Sequence, residues 1–194
     1  RDPENVRAVM LWTQLQLDKS AAEPFQRLAN TLEKFPQNQE LRLQYARLLG
    51  SEGDYEAARA QFSMLLAQEP DNPELLATSA ILEFELEYFE EALEKFDYLI
   101  VLEERVNEAH YYKGRIAALR DQYPEAISAF GAVGPSREFS DAKTRAARLL
   151  VDTAFASDIK SFFADQRQRY PTSAEQLFLL EADALRSEEH TSEL

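Results

Sequence analysis

Cysteine and histidine, which carry much of the covalent and metal chemistry of proteins, are scarce in this sequence of 194 residues. It contains no cysteine and two histidines, His110 and His190. Without a thiol there is no cysteine nucleophile, and an isolated histidine does not build a histidine-rich metal site. His110 stands beside Tyr111 and Tyr112, and we interpret it as a packed or half-exposed side chain.

Carboxylates are plentiful, but they are arranged as on a solvated helix surface. In EFELEYFEEALEK, residues 83–95, the acidic side chains recur at helical spacing beside Lys95, so no pair is set apart for acid–base catalysis. The segment GAVGPS, residues 131–136, lacks the lysine and the preceding strand of a phosphate-binding loop. We therefore predict that the chain is not an enzyme and has no catalytic residue, no cofactor and no metal.

The overall charge restricts the kind of partner. The formal net charge is -14 and the sequence pI is about 4.6. A nucleic-acid-binding surface is normally basic because it displaces counterions from phosphates, which also argues against an RNA-binding helical array. The same charge disfavours docking on an anionic membrane, and no apolar run approaches the roughly 18 residues that a membrane helix needs. We predict a protein or peptide partner, no nucleic acid and no membrane insertion by this segment.

A pattern of small and apolar residues recurs at a fixed interval of 34 residues. The five columns are Ala46, Ala80 and Gly114; Tyr55, Phe89 and Tyr123; Ala58, Ala92 and Ala126; Phe62, Phe96 and Phe130; and Leu65, Leu99 and Val133. A weaker fourth copy contributes Ala147, Ile159 and Phe163. A fixed period of this length is typical of a protein built from stacked repeats.

Each copy is predicted to form a helix, a tight turn and a second helix. Tyr55, Ala58 and Phe62 are separated by three and then four residues, which places them on one helix face. Between the two helices, Gly53 suits a left-handed turn and Asp54 suits a helix cap.

The pattern predicts an all-α fold, a right-handed α-solenoid of stacked antiparallel helix pairs, with Ala92 buried at a helix crossing. The eleven predicted helices cover residues 4–17, 22–34, 38–50, 54–68, 73–86, 89–102, 107–119, 123–133, 138–152, 156–169 and 173–185.

These columns resemble the tetratricopeptide repeat (TPR) family. One copy carries nearly the whole family pattern, with Ala46, Gly53, Tyr55, Ala58, Phe62 and Pro70. The next two copies place Glu87 and Asp121 at the turn glycine. An upstream copy has Pro24 where an alanine is expected, which should delay or bend its second helix. The resemblance implies a protein-interaction scaffold whose first helices line a concave groove.

The repeat period divides the chain into segments. The predicted array covers residues 1–186, with a weak repeat at 4–37, repeats at 38–72, 73–106, 107–137 and 138–172, and a truncated repeat at 173–186. The last nine residues, RSEEHTSEL, match the in-frame translation of a sequencing adapter. We therefore predict that residues 187–194 are a non-native tail, disordered or passively continuing the last helix, and that the chain is a fragment. The last helix would then lack its partner and leave Leu177, Phe178 and Leu180 partly exposed.

A narrower resemblance concerns three linked segments, YYKGRIAALRDQYPEAISAF, DAKTRAARLL and QLFLLEADAL. They look like the large TPR lipoproteins of Gram-negative bacteria. That resemblance implies a scaffold, in particular an adaptor in a bacterial envelope complex, with a periplasmic, outer-membrane-associated location. A cytoplasmic location is the alternative, and a regulatory or substrate-recruiting segment of a larger enzyme is the alternative function.

The predicted binding residues lie on the groove-facing side of successive first helices. They are Leu43, Arg47, Ile81, Phe84, Tyr111, Arg115 and Arg148. Arginine forks suit carboxylates and rigid aromatic rings suit anchors, so the hypothesis is an extended peptide held by its carboxylates. The lysine and asparagine clamp of chaperone-binding members is absent here. In the alternative interpretation, the arginines pair with Glu83, Glu108 or other acidic neighbours and only stabilise the array.

Overall fold

Short polar turns divide the chain into helices close to the predicted lengths. The structure, a computed structural model, describes residues 22–153 and 156–192. In these residues it contains ten α-helices and a 3-10 turn at Pro171–Ser173. The helices are α1 Ala22–Lys34, α2 Gln39–Ser51, α3 Tyr55–Leu66, α4 Pro73–Glu85, α5 Phe89–Val101, α6 Val106–Leu119, α7 Tyr123–Ala132, α8 Phe139–Thr153, α9 Ala156–Arg169 and α10 Ala174–Ser192.

The prediction of an all-α helical-repeat solenoid is confirmed. Nine predicted helices are found with both ends within two residues of the expected positions. The last helix begins within one residue of its predicted start but continues to Ser192. Of the two outcomes predicted for the tail, disorder or continuation of the last helix, the structure therefore shows continuation up to that residue. The predicted helix at residues 4–17 lies outside the described residues.

Side-chain caps explain where several helices begin. Asn38 accepts a hydrogen bond from the Leu41 amide, and Asp54 accepts one from the Ala57 amide. Such caps satisfy amide groups that have no partner inside the helix. Pro24 lies in the first turn of α1, where a missing amide hydrogen breaks no intrahelical bond, so the expected delay does not occur.

The residue columns of the repeat form the core. In the second helices the alanine and phenylalanine columns are buried, and so is the Leu65, Leu99 and Val133 column. Ala92 is fully buried, as predicted, and so are Ile159 and Phe163 of the fourth copy. The Tyr55 column is less buried, with Tyr55 itself exposed, because it begins each second helix at the turn.

Two compact units make up the structure, a first up to Lys95 and a second from Phe96. In the first unit α2 packs against α3, and α3 against α4, around a core that includes Leu49 and Phe62. In the second unit α6 packs against α7 and α7 against α8, while α10 packs against both α8 and α9. Helices α2 and α8 are therefore each placed by contacts with both neighbouring helices.

The expected exposure of the last helix is only partly correct. Phe178 is exposed and Leu180 is half-buried, as predicted. Leu177, however, is fully buried and packs in one cluster with Ile159 and Phe163. The prediction was wrong for Leu177 because this face of α10 is covered by the preceding helix pair and does not need a following helix.

The turn between the two helices of a pair requires a left-handed residue. Gly53 has φ 83°, and the residues that replace glycine in the next two copies, Glu87 and Asp121, have φ 63° and 57°. This conformation costs an L-residue roughly 1–2 kcal/mol because its Cβ crowds the backbone, whereas glycine adopts it freely. The repeat geometry therefore imposes the same turn whether or not glycine is present.

We predict that Glu87→Gly stabilises the protein by about 0.5–1 kcal/mol, because relief of the left-handed strain exceeds the added entropy of the unfolded chain. Urea unfolding measures the change in the free energy of unfolding. Glu94→Gly, in the interior of α5, is the matched control and should destabilise by about 1 kcal/mol. A destabilising effect of Glu87→Gly would contradict this account of the turn.

Gly114 marks a close approach of α6 and α7 in the second unit. A Cβ atom at this position would lie 2.6 Å from Cδ1 of Phe130. The Phe130 ring is almost completely buried and has little room to move. The small-residue column thus lets α6 and α7 approach until the aromatic ring of one covers the backbone of the other.

We predict that Gly114→Ala destabilises the protein by about 1–3 kcal/mol, because the added methyl group overpacks the contact with Phe130. Gly50→Ala is the matched control, since an added Cβ there meets no atom within 4 Å and the position lies in α2. It should stabilise by about 0.5–1 kcal/mol through helix propensity. Equal effects of the two substitutions in thermal unfolding would show that helix approach does not explain the column.

Candidate partner-binding face

Two hollows lie on the second unit where successive first helices run beside each other. The first, about 310 Å³, lies between α6 and α8 and is lined by Glu108, Tyr111, Tyr112, Arg115, Arg137, Glu138 and Asp141. The second, about 490 Å³, lies between α8 and α10 and is lined by Thr144, Ala147, Arg148, Val151, Asp152, Leu180, Asp183, Ala184 and Ser187. We call the surface containing both hollows the first-helix face.

Tyr111 joins the two helices of the first hollow. Its hydroxyl donates a hydrogen bond to the carboxylate of Asp141, which also accepts one from Nε of Arg145 at 2.7 Å. The guanidinium groups of Arg115 and Arg145 lie 5.8 and 5.9 Å from the centre of the Tyr111 ring. Cation–π contacts and the hydroxyl bond together hold the ring in one orientation. The first hollow therefore presents a fixed aromatic side chain.

The protonation states of this network follow from its contacts. Burial acts to raise the pKa of Asp141, but the hydrogen bonds from Arg145 and Tyr111 outweigh burial and hold that pKa below its usual value. Burial and the hydrogen bond to Asp141 raise the pKa of Tyr111. Asp141 is therefore ionised and Tyr111 neutral around pH 7, so this pair does not offer a general acid and base for catalysis.

The three arginines predicted to bind a partner have different surroundings. Arg47 in the first unit pairs with Glu74 at 3.8 Å, as the stabilising alternative expects. Arg115 lies over the rings of Tyr111 and Tyr112, at 5.2 Å from the latter. Arg148 makes no ion pair and no ring contact with any described residue and lines the second hollow.

The acidic residues proposed as arginine partners are engaged elsewhere. Glu83 is buried and pairs with Lys95 and Arg59, whereas Glu108 pairs with Arg105 at 2.7 Å. Of the pairs expected in the alternative interpretation, the structure shows Arg47 with another acidic neighbour, Glu74, and none with Glu83 or Glu108.

Three other predicted binding residues lie in the first unit. Leu43 and Ile81 are half-buried, and Leu43 packs against the core of that unit. Phe84 is 5% exposed, with its ring 5.9 Å from that of Phe89. Phe84 is therefore a core residue and offers almost no surface to a partner, which corrects its assignment as an anchor.

The described residues form neither a metal-binding group nor a membrane-spanning helix. Among residues 22–153 and 156–192, no group of three histidines or acidic residues is placed to hold a metal ion. No helix of the described part is long and apolar enough to cross a membrane. His110 is half-buried, and burial followed by the nearby Lys113 lowers its pKa.

Lys143 is a buried charged residue that the sequence reasoning missed. Its ammonium group donates hydrogen bonds to the carbonyl oxygens of Phe130, Gly131 and Val133 at 3.0, 2.8 and 2.7 Å. These carbonyls lie at the end of α7, so Lys143 caps a helix of the preceding pair from within α8. The sequence gives only an indirect indication of this cap. Residues 131–136 contain no side chain that would cap the end of α7 locally, so a cap from elsewhere is needed.

Burial lowers the pKa of Lys143 to about 7, and nearby Arg169 adds to this effect while Asp165 opposes it. The rings of Phe139 and Tyr170 lie 5.0 Å from the ammonium nitrogen. The three carbonyl acceptors favour the charged form, so they act against the desolvation cost.

Comparison with known proteins finds one family whose profile matches part of the sequence. The sequence profile of the tetratricopeptide repeat family matches residues 19–82, and the remaining helix pairs continue the same fold. Residues 19–82 are therefore similar to tetratricopeptide repeats, and this match covers about a third of the chain. Proteins with this repeat act as scaffolds for protein–protein interactions and are generally not catalytic.

Solved structures share the fold along most of the chain. MamA from Desulfovibrio magneticus RS-1 is 17% identical, covers 94% of this chain and 96% of its own, and has a TM-score of 0.67. A TPR protein from Parabacteroides merdae is 17% identical, with 92% and 72% coverage and a TM-score of 0.66. YrrB, described as a TPR protein with an unusual peptide-binding site, is 16% identical, with 84% coverage of both chains and a TM-score of 0.56. A search of curated proteins finds no significant match.

We predict that Lys143 makes folding stability depend on pH. Its pKa is about 7 in the folded state and 10.5 when unfolded, so above pH 7 the unfolded state binds more protons and stability rises with pH. Relative to Lys143→Met, the wild-type protein should gain about 2 kcal/mol between pH 7 and pH 9. Below pH 7 the difference should be constant.

Thermal unfolding of both proteins across this pH range measures the effect. Lys160→Met, which removes an exposed lysine from α9, is the control and should show no such change relative to wild type. A constant difference between wild type and Lys143→Met from pH 6 to pH 9 would mean that the three carbonyl bonds keep Lys143 charged throughout.

Proposed function

We propose that this chain is a non-catalytic scaffold that binds a peptide or a segment of a partner protein on the first-helix face. The observation that carries the proposal is the Tyr111 network, which fixes an aromatic ring beside an open hollow. A ring that is already immobilised loses little conformational entropy when a partner covers it. The peptide-binding site of YrrB supports the same use of the fold.

The two hollows differ in chemistry, and together they suit an extended segment. The hollow between α6 and α8 is lined mainly by charged and tyrosine side chains, including Arg115 and Asp141. The hollow between α8 and α10 has an apolar floor that includes Ala147 and Leu180. An extended segment crossing α8 would place polar groups in the first hollow and an apolar side chain in the second.

The finer functional assignment is an adaptor in a bacterial envelope complex. Its support is the resemblance of three segments of the sequence to large TPR lipoproteins, which also supports a periplasmic, outer-membrane-associated location. The net charge of -14 favours a protein partner over a nucleic acid.

We predict that a photo-crosslinking amino acid at Thr144, between the two hollows, captures a partner from a native extract. The same amino acid at Lys160, which is exposed on the second helix α9, is the control and should capture far less. Arg115→Glu should reduce capture from Thr144 several-fold, because it reverses the charge and removes the contacts with Tyr111 and Tyr112.

Lys160→Glu makes a matched charge reversal away from the first-helix face and should leave capture unchanged. Circular dichroism verifies that each variant is folded. Equal capture from Thr144 and Lys160, or equal capture by wild type and Arg115→Glu, would rule out the first-helix face as the binding surface.

A further inference from the structure

A third hollow lies on the side of α6 that is turned away from the first-helix face. Lys113 follows Tyr111 by two residues and precedes Arg115 by two, which places it on nearly the opposite side of the helix. The hollow has a volume of about 530 Å³, and its lining includes His110 and Lys113 of α6 and Pro124, Glu125, Ala129 and Ala132 of α7. We call it the α6–α7 hollow. None of its lining residues belongs to the two hollows of the first-helix face.

The floor of the α6–α7 hollow is apolar and shallow. Ala129 and Ala132 lie three residues apart on one face of α7, and both are half-buried. Pro124 adds an exposed apolar ring in the first turn of the same helix. Because the alanine side chains are small, a longer aliphatic side chain from outside can lie over them and remove this floor from water.

The charges around this floor leave one carboxylate without a counter-charge. Nζ of Lys113 donates a hydrogen bond to the carboxylate of Asp97, so these two charges neutralise each other. Burial, followed by the nearby Lys113, lowers the pKa of His110, so its ring is neutral around pH 7. Glu125 is exposed and has no ion-pair partner among the residues that the structure describes. The hollow therefore combines an apolar floor with a single unneutralised negative charge.

We propose that the α6–α7 hollow binds a lysine or arginine side chain of a partner protein. Such a side chain has an aliphatic stem and a cation at its end, which matches an apolar floor beside one available carboxylate. The stem covers Ala129 and Ala132, and the cation pairs with Glu125. The formal net charge of -14 attracts a basic partner towards the chain. A partner bound here leaves the first-helix face open, so this site adds a second interaction surface to the proposed scaffold.

The test is a nuclear magnetic resonance titration of the ¹⁵N-labelled full chain with the peptide acetyl-Ala-Lys-Ala-amide. Saturable shift changes are expected at the backbone amides of Ala129 and Ala132. Norleucine in place of lysine keeps the aliphatic stem and removes the charge, so this peptide should bind about two- to five-fold more weakly. The amino acid 2,4-diaminobutyric acid keeps the charge and shortens the stem, so the peptide that contains it should bind about three- to ten-fold more weakly.

Glu125→Gln should weaken binding of the lysine peptide to the level of the norleucine peptide. Glu175→Gln is the matched control and should leave binding unchanged, because Glu175 is also an exposed glutamate in the first turn of a helix but lies outside this hollow. Circular dichroism verifies that both variants are folded.

Equal effects of the two substitutions would show that the net negative charge alone attracts the peptide, and would overturn the proposal. Equal binding of the lysine peptide and either analogue, or the absence of saturable shifts at Ala129 and Ala132, would overturn it as well. These results would not affect the scaffold function proposed for the first-helix face, since the two surfaces share no lining residue.

Discussion

The close approach of the two helices in each pair is the constraint on which the rest of the structure depends. In the repeat pattern a small residue in the first helix is matched with an aromatic residue in the second, and Gly114 lies against Phe130. Because the helices are so close, the turn between them is short and needs a left-handed residue, even where that residue is Glu87 or Asp121. The same approach brings the first helices of neighbouring pairs side by side, and the hollows of the second unit form between them.

Most of the fold was predictable because it is recorded in local spacing. Helix faces and caps depend on residues three or four apart, so the columns containing Ala92 and Phe130 were identified correctly. The spacing of apolar residues within one helix does not show which of its faces a neighbouring helix pair covers. For this reason the exposure of Leu177 was misjudged and Phe84 was taken for a surface anchor. Two of the residues predicted to bind a partner, Tyr111 and Arg148, line the two hollows, but their surroundings could be seen only in the structure.

Charged residues inside the stack were the least predictable feature. Glu83 is 2% exposed, yet Nζ of Lys95 lies 2.8 Å from its carboxylate and Nε of Arg59 lies 3.5 Å away. Lys143 in the second unit is likewise buried and reaches the carbonyls of another helix pair. Both groups join helices that are consecutive in the chain, and a buried charge is tolerated only where such partners exist. Linear spacing identifies neither set of partners, because each is assembled from separate helices.

The arginine column shows how a repeat protein obtains different sites from equivalent positions. The backbone places Arg115 and Arg148 at matching positions of successive first helices, so the difference between them must come from the residues around them. Tyr111 and Tyr112 cover Arg115, whereas Thr144 leaves Arg148 uncovered beside a floor that includes Ala184. The same repeat position therefore holds an arginine against two tyrosine rings in one helix pair and an exposed arginine in the next. In such a fold, the functional information lies in departures from the repeat, since the residues that keep to it are occupied in holding the helices together.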